Sequence, residues 1–297
     1  MSSTPSPSIR TETQDRVRSI ILCRPERYNA INARLRDEFS AAMDAADADD
    51  NISVVLLRAD GPSFCAGYAL DEYTQQQTGQ RSSSRVWDSA HDLRNISTFV
   101  SAFAKLWYSS KPTIAAVQGW CIAGGTDFVF WADLIVASES ASFGYPPARV
   151  WGVPTNPLWV QRLGLQRAKQ YLFTGDEMPA QEAAKLGLVL EVCPESQLQE
   201  RAMQLAQRIA LVPCNQLQLM KLFLNQQAEN QGIGSSRLIG ALFDGIARHT
   251  QEGLDFVANA QSKGFRAAVR GRDAPFGDYG EGVKGKTGNR RNAKKEP

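Results

Sequence analysis

The sequence predicts an α/β fold, a spiral of strand-strand-helix units that is followed by a helical C-terminal region. Two observations lead to this prediction. Short apolar runs rich in β-branched residues alternate with amphipathic helical patterns over most of the chain, an order of elements that is typical of α/β proteins. From about residue 197 onward the apolar residues recur at helical spacing, and no further strand follows.

The individual elements follow from the same patterns in chain order. Residues 17–23 alternate as a strand does, and residues 33–46 place Leu35, Phe39 and Met43 on one helical face. The other predicted strands are 54–58, 113–117, 134–137 and 188–192, and the other predicted helices are 84–108, 197–210 and 215–229.

Composition divides the chain into four regions. Residues 1–14 are rich in Ser, Thr and Pro and are expected to form a disordered leader, whereas residues 15–195 contain the spiral core. Residues 196–262 form the helical region, and residues 263–297 are a Gly-rich, basic tail that is expected to be partly disordered. A small pair of helices cannot bury its own apolar surface, so the helical region is predicted to be an oligomerisation region.

Overall composition excludes several classes of protein. The 297 residues are 43% hydrophobic and 22% charged, which suffices for one sizeable core. No apolar run reaches the length of a membrane-spanning helix, and the N-terminus lacks the apolar stretch of a secretory signal. The five cysteines are scattered without zinc-binding spacing, and a net charge of +2 does not predict nucleic-acid binding. We expect a cytoplasmic protein without metal, membrane or nucleic-acid partners.

The segment from Lys111 to Gly144 carries the strongest local signal. A buried-type strand at residues 113–117 leads into Ala123-Gly124-Gly125, and a helical pattern begins near Thr126. The small residues leave backbone N–H groups accessible, and the positive end of the helix dipole lies at the same place. This arrangement suits a developing oxygen anion, and the carboxyl of Asp127 is within one turn of it.

A second turn of the same kind lies upstream. The apolar strand at residues 53–59 runs through Asp60-Gly61-Pro62 into a short helical pattern at residues 63–71. Two such turns can each donate one N–H group to the same carbonyl oxygen, and two donors are what an enolate or a tetrahedral anion requires.

Several motifs in order resemble the crotonase superfamily, the enoyl-CoA hydratase/isomerase family, whose fold is the ClpP-like spiral. Similarity extends from about residue 17 to about residue 256. The segment starting at Arg24 resembles the family's RPxxxNAxN, and that starting at Phe64 resembles FxAG. Gly124-Gly125-Thr126-Asp127 occupies the place of GGxE, and the segment from Phe143 to Pro147 that of FGxPE.

The resemblance implies a coenzyme A (CoA) thioester substrate whose carbonyl oxygen is bound by the backbone N–H groups of Tyr68 and Gly124. CoA would enter with the substrate, and no permanently bound cofactor is expected. The resemblance also implies a homotrimer or a dimer of trimers. The positions expected near the nucleotide end of CoA are Arg27, Ala30, Ala69 and Leu70, and the pocket candidates are Tyr145, Pro147, Arg149 and Trp151.

Three of these interpretations have alternatives. Tyr68, Trp87, Tyr145, Trp151 and Trp159 could line a pocket for an aromatic or bulky acyl group, or be ordinary core residues. Arg149 could instead pair with an acid or brace its loop. The basic tail could be a solvated segment, or it could attract the phosphates of CoA or a nucleic acid.

The catalytic acids are where the chain departs from the family pattern. Hydratases of this family use two glutamates to add one water molecule across the double bond. The first position holds Asp127, which is one methylene shorter, and the second holds Pro147, which has no titratable group. A substitute acid could come from the stretch between Leu70 and Lys111, with Asp88 and His91 as candidates. The alternative for His91 is a solvated surface histidine.

The sequence thus predicts an acyl-CoA-processing enzyme that stabilises a thioester enolate, of the enoyl-CoA hydratase/isomerase type and acting in fatty acid metabolism. Asp127 is its predicted acid/base. Two alternatives remain: an isomerase or thioester hydrolase that uses one carboxylate, and a CoA thioester binder or scaffold that has lost hydration.

Overall fold

The computed structural model describes residues 6–70 and 87–279. Its main sheet has six strands in the order β1-β2-β3-β4-β6-β9, and its smaller sheet has three in the order β5-β7-β8. In the main sheet only the β1–β2 pair is antiparallel. The strands are β1 (Ile9–Gln14), β2 (Val17–Leu22), β3 (Val54–Ala59), β4 (Thr113–Val117), β5 (Trp120–Ile122), β6 (Leu134–Ser138), β7 (Ser142–Gly144), β8 (Met178–Pro179) and β9 (Glu191–Cys193).

Helices connect these strands and then continue alone to the C-terminal end of the described chain. They are α1 (Ala33–Ala48), α2 (Ser89–Tyr108), α3 (Gly124–Val129), α4 (Trp159–Leu163), α5 (Leu165–Thr174), α6 (Ala180–Lys185), α7 (Leu198–Ala210), α8 (Cys214–Glu229), α9 (Ile233–Ala247), α10 (Gln251–Lys263) and α11 (Phe265–Asp273). None of the helices in residues 6–70 and 87–279 is long and apolar enough to cross a membrane.

The main sheet is buried on both faces, because its strands alternate their apolar side chains between two clusters. On β3, Val55 and Leu57 belong to the larger cluster, which also contains side chains of α1 and α2. Val54 and Leu56 belong to a second cluster, which contains side chains of α7. This double covering explains why the strands are continuous apolar runs in the sequence.

Most of the predicted strands and helices are confirmed. The strands expected at residues 17–23, 54–58, 113–117 and 134–137 are observed within one residue of those limits. The strand expected at residues 188–192 is β9, which begins at Glu191, since Leu188 and Val189 pack into the larger core cluster before it. The beginning of the predicted helix 84–108 lies partly outside the described residues, and α2 starts at Ser89.

The predicted disordered leader is wrong over much of its length. Residues 9–14 form β1, which pairs antiparallel with β2 along its whole length. The backbone N–H groups of Ser8 and Ile9 also donate to the Glu38 carboxylate on α1, at 2.7 and 3.0 Å. The strand escaped prediction because its side chains after Ile9 are exposed and polar, so it carries no apolar alternation. Residues 1–5 lie outside the described chain.

The predicted disordered tail is also ordered in its first half, where it forms α11 and a 3-10 turn at residues 274–276. Arg149 holds this segment. Its guanidinium bonds Asp273 at 3.0 Å and Asp278 at 2.6 and 2.8 Å, and lies 3.9 Å from the centre of the Phe276 ring. The Arg149 side chain is only 1% exposed. Residues 280–297 lie outside the described chain.

We expect Arg149→Met to destabilise the protein by about 3 kcal/mol, because it takes the bidentate guanidinium from the partly buried Asp278 and one of two guanidinium partners from the buried Asp273. Arg201→Met is the matched control, since the Arg201–Glu191 pair is exposed and should matter little. Urea unfolding at pH 7 would measure both. Equal midpoints for the two variants would contradict the anchoring role of Arg149.

Candidate active site

The two glycine turns identified in the sequence lie side by side. Cys65 and Cys121 form a parallel β-bridge, in which Cys65 N–H donates to Trp120 at 2.8 Å and Ile122 N–H donates to Cys65 at 3.1 Å. A Cβ atom added to Gly67, whose φ is +100°, would lie 3.0 Å from the Cβ of Ala123. The two turns are therefore in direct contact with each other.

Each turn offers one N–H group. Among the described residues, neither the Tyr68 nor the Gly124 N–H donates to a backbone carbonyl. Gly124 is the first residue of α3, where the helix itself supplies no acceptor. Ala123 has a φ of +52°, a strained conformation for a residue with a side chain. Its own N–H donates to Gly144 at 2.9 Å, which fixes the strained turn.

A cavity of about 730 Å³ opens beside the two turns. Its lining comes from residues 26–30, 66–70, 120–124, 145–152 and 244–279. Among these are both predicted N–H donors, all four residues expected near CoA and three of the four pocket candidates: Tyr68, Gly124, Arg27, Ala30, Ala69, Leu70, Tyr145, Pro147 and Trp151.

The C-terminal segment, which the sequence predicts to be a basic tail, adds a basic rim to the cavity. Lys263, Arg266, Arg270 and Arg272 all line the cavity. The spacing of the arginines at positions 266 and 270 on α11 was the available signal, because residues four apart share one helix face.

Asp127 is buried behind the cavity and is not one of the residues that line it. Its side chain is 1% exposed, and Oδ1 accepts from the backbone N–H groups of Thr155 and Asn156 at 3.0 and 3.2 Å. Its Oδ2 has no hydrogen-bond partner in the described structure. Burial, followed by the charge of Asp244, raises the pKa of Asp127 to about 8, so the carboxyl is protonated at neutral pH.

A hydroxyl group lies between Asp127 and the cavity. The Thr155 side chain is close enough to both Tyr68 and Asp127 to lower the pKa of each. The Tyr68 ring lies on Gly124, because a Cβ atom added there would be 2.7 Å from Cε2 of that ring. Burial raises the pKa of the Tyr68 phenol well above its ordinary value, so the hydroxyl keeps its proton. The Thr155 hydroxyl therefore lies near both the buried Asp127 carboxyl and Tyr68, which lines the cavity.

A second carboxylate, missed by the sequence analysis, lies in the cavity wall. Asp244 on α9 is 4% exposed and accepts from Val153 N–H at 3.3 Å and from the Arg248 guanidinium. Arg248 also lines the cavity, with its guanidinium 5.5 Å from the Trp151 ring. The sequence shows only an Asp and an Arg four positions apart, which is a common helix-surface pattern.

Rigid aromatic residues form the wall after β7. The Tyr145 hydroxyl donates to Val153 at 3.0 Å, and Trp151 stacks on Phe256 at a centroid distance of 5.9 Å. Trp87 and Trp159 are elsewhere. Trp87 is exposed and stacks on His249, whereas Trp159 is buried in the core.

Three further predicted residues, Asp88, His91 and Arg149, do not line the cavity either. Asp88 is exposed and caps α2 by accepting from the backbone N–H of His91, whose exposed ring bonds Asn95. The stretch before Lys111 therefore contributes neither Asp88 nor His91 as an acid. Arg149 does not line the cavity either, because its guanidinium is occupied by Asp273 and Asp278. This agrees with the alternative in which Arg149 pairs with acids.

The described ranges contain no group of three or more His, Cys, Asp or Glu side chains placed to hold a metal ion. The groups available at the cavity are backbone N–H groups, a few hydroxyls and a basic rim. The Asp244 carboxyl lies in its wall, and the Asp127 carboxyl lies behind the wall.

The chain is similar to proteins of one family. A family model described as enoyl-CoA hydratase/isomerase matches residues 12–263. A probable enoyl-CoA hydratase of Rhizobium meliloti is 29% identical, over 89% of this chain and 96% of the relative. A putative enoyl-CoA hydratase of Mycobacterium tuberculosis is 34% identical, over 77% of this chain and 76% of the relative. The crystal structure of an enoyl-CoA hydratase from Mycobacterium smegmatis superposes with a TM-score of 0.86, at 44% identity over 92% of this chain and 95% of that one.

We expect Gly124→Ala to destabilise the protein by about 1 to 3 kcal/mol, because its Cβ atom would overlap the Tyr68 ring. Gly271→Ala is the matched control, since Gly271 is an exposed helical residue with no atom within 4 Å of an added Cβ. That change should be neutral or slightly stabilising. Urea unfolding measures both, and equal stability of the two variants would contradict the position of the Tyr68 ring.

Proposed function

The chain belongs to the enoyl-CoA hydratase/isomerase family and is an acyl-CoA-processing enzyme of that type; we propose that the backbone N–H groups of Tyr68 and Gly124 form its oxyanion hole. The observation that carries this proposal is the contact between the two turns, which places in the lining of one cavity two N–H groups that have no backbone acceptor among the described residues. Each such donor is worth about 3 kcal/mol when charge develops on the thioester oxygen.

The rest of the cavity suits CoA. Arg27 and the basic rim (Lys263, Arg266, Arg270 and Arg272) line the cavity and supply cations for the phosphate groups of CoA. Residues Ala30, Ala69 and Leu70 are small or apolar enough to leave room for the nucleotide end and its linker. We propose that the ordered part of the C-terminal segment, which Arg149 anchors, is one wall of the CoA site.

We further propose that Asp127 is the acid/base and that it acts through the hydroxyls of Thr155 and Tyr68. At neutral pH its carboxyl is protonated, so it can donate a proton along this chain to a group leaving the acyl chain. With Tyr68, Tyr145 and Trp151 around the inner end, a flat aromatic acyl group would fit between the rings.

Pro147 supports a second candidate function. It lines the cavity at the position expected to hold the second acid, and it contributes no proton. A protein that retains the oxyanion hole and the CoA site without hydrating its ligand would be an isomerase, a thioester hydrolase or a CoA thioester binder.

The proposal is tested with a panel of enoyl-CoA thioesters, from crotonyl to long-chain and aromatic, by following the loss of the conjugated enoyl absorbance. Asp127→Asn and Tyr68→Phe should each lower turnover about 100-fold or more, because each breaks the proton chain while the N–H donors remain. Asp50→Asn, a change at an exposed carboxylate, is the control.

The pH dependence follows from the raised pKa of Asp127. Its proton is held below pH 8 and lost above it, so dehydration of a 3-hydroxyacyl-CoA should fall as pH rises through about 8. Full activity of Asp127→Asn would refute the acid/base role. Binding of the thioesters by isothermal titration calorimetry without any turnover would favour the binder.

The helical region supports a homotrimer or a dimer of trimers. Apolar side chains on α8 and α9 are exposed in the single chain, and Phe223 is 68% exposed. The others are Leu219, Met220, Leu222, Leu224, Leu238, Ile239, Phe243 and Ile246. Apolar surface of this extent marks an interface between chains.

We therefore expect light scattering after size exclusion to give a mass about three or six times that of the 32.7 kDa chain. Phe223→Glu should shift the protein toward the monomer, because it places a charge in the apolar contact. Gln231→Glu, at an exposed position just after the same helix, should leave the mass unchanged. A monomeric unaltered protein would overturn the proposed assembly.

A further inference from the structure

We propose that Asp244 is the second proton-transferring carboxylate of this site, exchanging a proton with the carbon next to the thioester carbonyl where Pro147 cannot. The inference rests on the proposed function, because it assumes that a thioester carbonyl is held by the Tyr68 and Gly124 N–H groups. It adds a residue from a helix that lies outside every motif of the sequence.

Asp244 occupies a suitable position for this role. Asp244 lines the cavity, whereas Asp127 lies behind its wall. Asp244 is also next to the place where the second acid is missing. Pro147 accepts from Gly152 N–H at 2.8 Å, and the following residue, Val153, donates to Asp244 at 3.3 Å. The Asp244 carboxylate thus contacts the loop at Val153, one residue after Gly152, which contacts Pro147.

The arrangement around Asp244 is tightly built. A Cβ atom added to Gly240 on the same helix would lie 2.8 Å from the Pro154 carbonyl oxygen, so α9 packs directly against this loop. Asp244 and Asp127 hold the loop from opposite ends, since one accepts from Val153 and the other from Thr155 and Asn156. Two carboxyls from distant helices therefore flank one short loop at the inner end of the cavity.

The two carboxyls have different electrostatic surroundings. Asp244 is bonded to the Arg248 guanidinium, which favours its ionised form, although burial and the nearby Asp92 raise its pKa above the ordinary value. Asp127 has no bonded cation among its described partners, and the charge of Asp244 raises its pKa further. Tyr68 and Tyr145 also face this pair and stay protonated. In the proposed mechanism the two acids share one proton, and Asp127, the acid without a bonded cation among its described partners, holds it.

This state is prepared for dehydration of a 3-hydroxyacyl-CoA. Asp244 takes the proton from C2, and the C2–H electron pair passes into the enolate, whose oxygen is held by the two N–H groups. The C2=C3 bond forms as the C3–O bond breaks, and the leaving hydroxide takes the proton that Asp127 delivers through Thr155 and Tyr68. Water is the only other product. Hydration is the same path reversed, with the proton on Asp244 and none on Asp127.

The two acids are separated by an exchange experiment that uses a saturated thioester. In D₂O, butyryl-CoA and 3-phenylpropanoyl-CoA should gain deuterium at C2, because exchange needs only Asp244 and the oxyanion hole. We expect Asp244→Asn to lower the exchange rate at least 100-fold and to abolish dehydration. Asp127→Asn should abolish dehydration and keep exchange within about 10-fold of the unaltered enzyme.

A bracing role for Asp244 makes the opposite prediction. Asparagine keeps the Oδ1 acceptor for Val153 N–H, so a residue that only braces the loop would tolerate Asp244→Asn. Asp244→Glu should recover part of the exchange. Arg248→Met should raise the pH at which exchange sets in, because the Asp244 carboxylate loses its cation. Isothermal titration with butyryl-CoA confirms that each variant still binds.

Exchange by Asp244→Asn at the rate of the unaltered enzyme would overturn the inference and leave the proposed function intact. If the unaltered enzyme neither exchanges nor turns over any thioester, both the inference and the proposed function fail.

Discussion

The site depends on one backbone contact, the parallel bridge between Cys65 and Cys121. This bridge sets the turn at Gly67 against the turn at Ala123, with side chains too small to separate them. The donors of an oxyanion hole must be in place before charge develops, since reorganisation during the reaction would cost most of what they stabilise. The strain in Ala123 is held by its hydrogen bond to Gly144 and by the buried sheet behind it. The rigid core thus serves mainly to position two N–H groups.

The loop from Trp151 to Asn156 is the second element on which the chemistry depends. Its backbone N–H groups donate to both buried carboxyls, and it carries Thr155, whose side chain lies near Asp127. A buried carboxyl without a cation is costly when ionised and therefore keeps its proton. Arg248 lies beside only one of the two carboxyls. The loop therefore holds both acids, and the arginine makes their surroundings different.

The C-terminal segment links stability to ligand binding. Arg149 follows the proline-rich turn that shapes the cavity, and its guanidinium fixes Asp273 and Asp278 at the end of the described chain. The same segment carries the basic rim of the cavity. Removing one partner of a buried ion pair is strongly destabilising, whereas the intact pair adds little net stability. This contact therefore mainly specifies where the segment docks.

The sequence by itself determined what contiguous residues encode: most strands of the main sheet, the two small-residue turns, the family, and most of the predicted residues that line the cavity. These follow from local periodicity and from motifs a few residues long. Only the tertiary structure decided which acids meet. Asp244 accepts a hydrogen bond from Val153, 91 positions away, and Arg149 pairs with Asp278, 129 positions away. Asp88 and His91, the candidates that the sequence suggested, lie outside the cavity. The polar strand β1 was invisible for the same reason, because its pairing with β2, and not its own pattern, makes it a strand. Contacts between distant residues leave no periodic signal in either segment, so their partners are fixed only when the helices pack on the sheet.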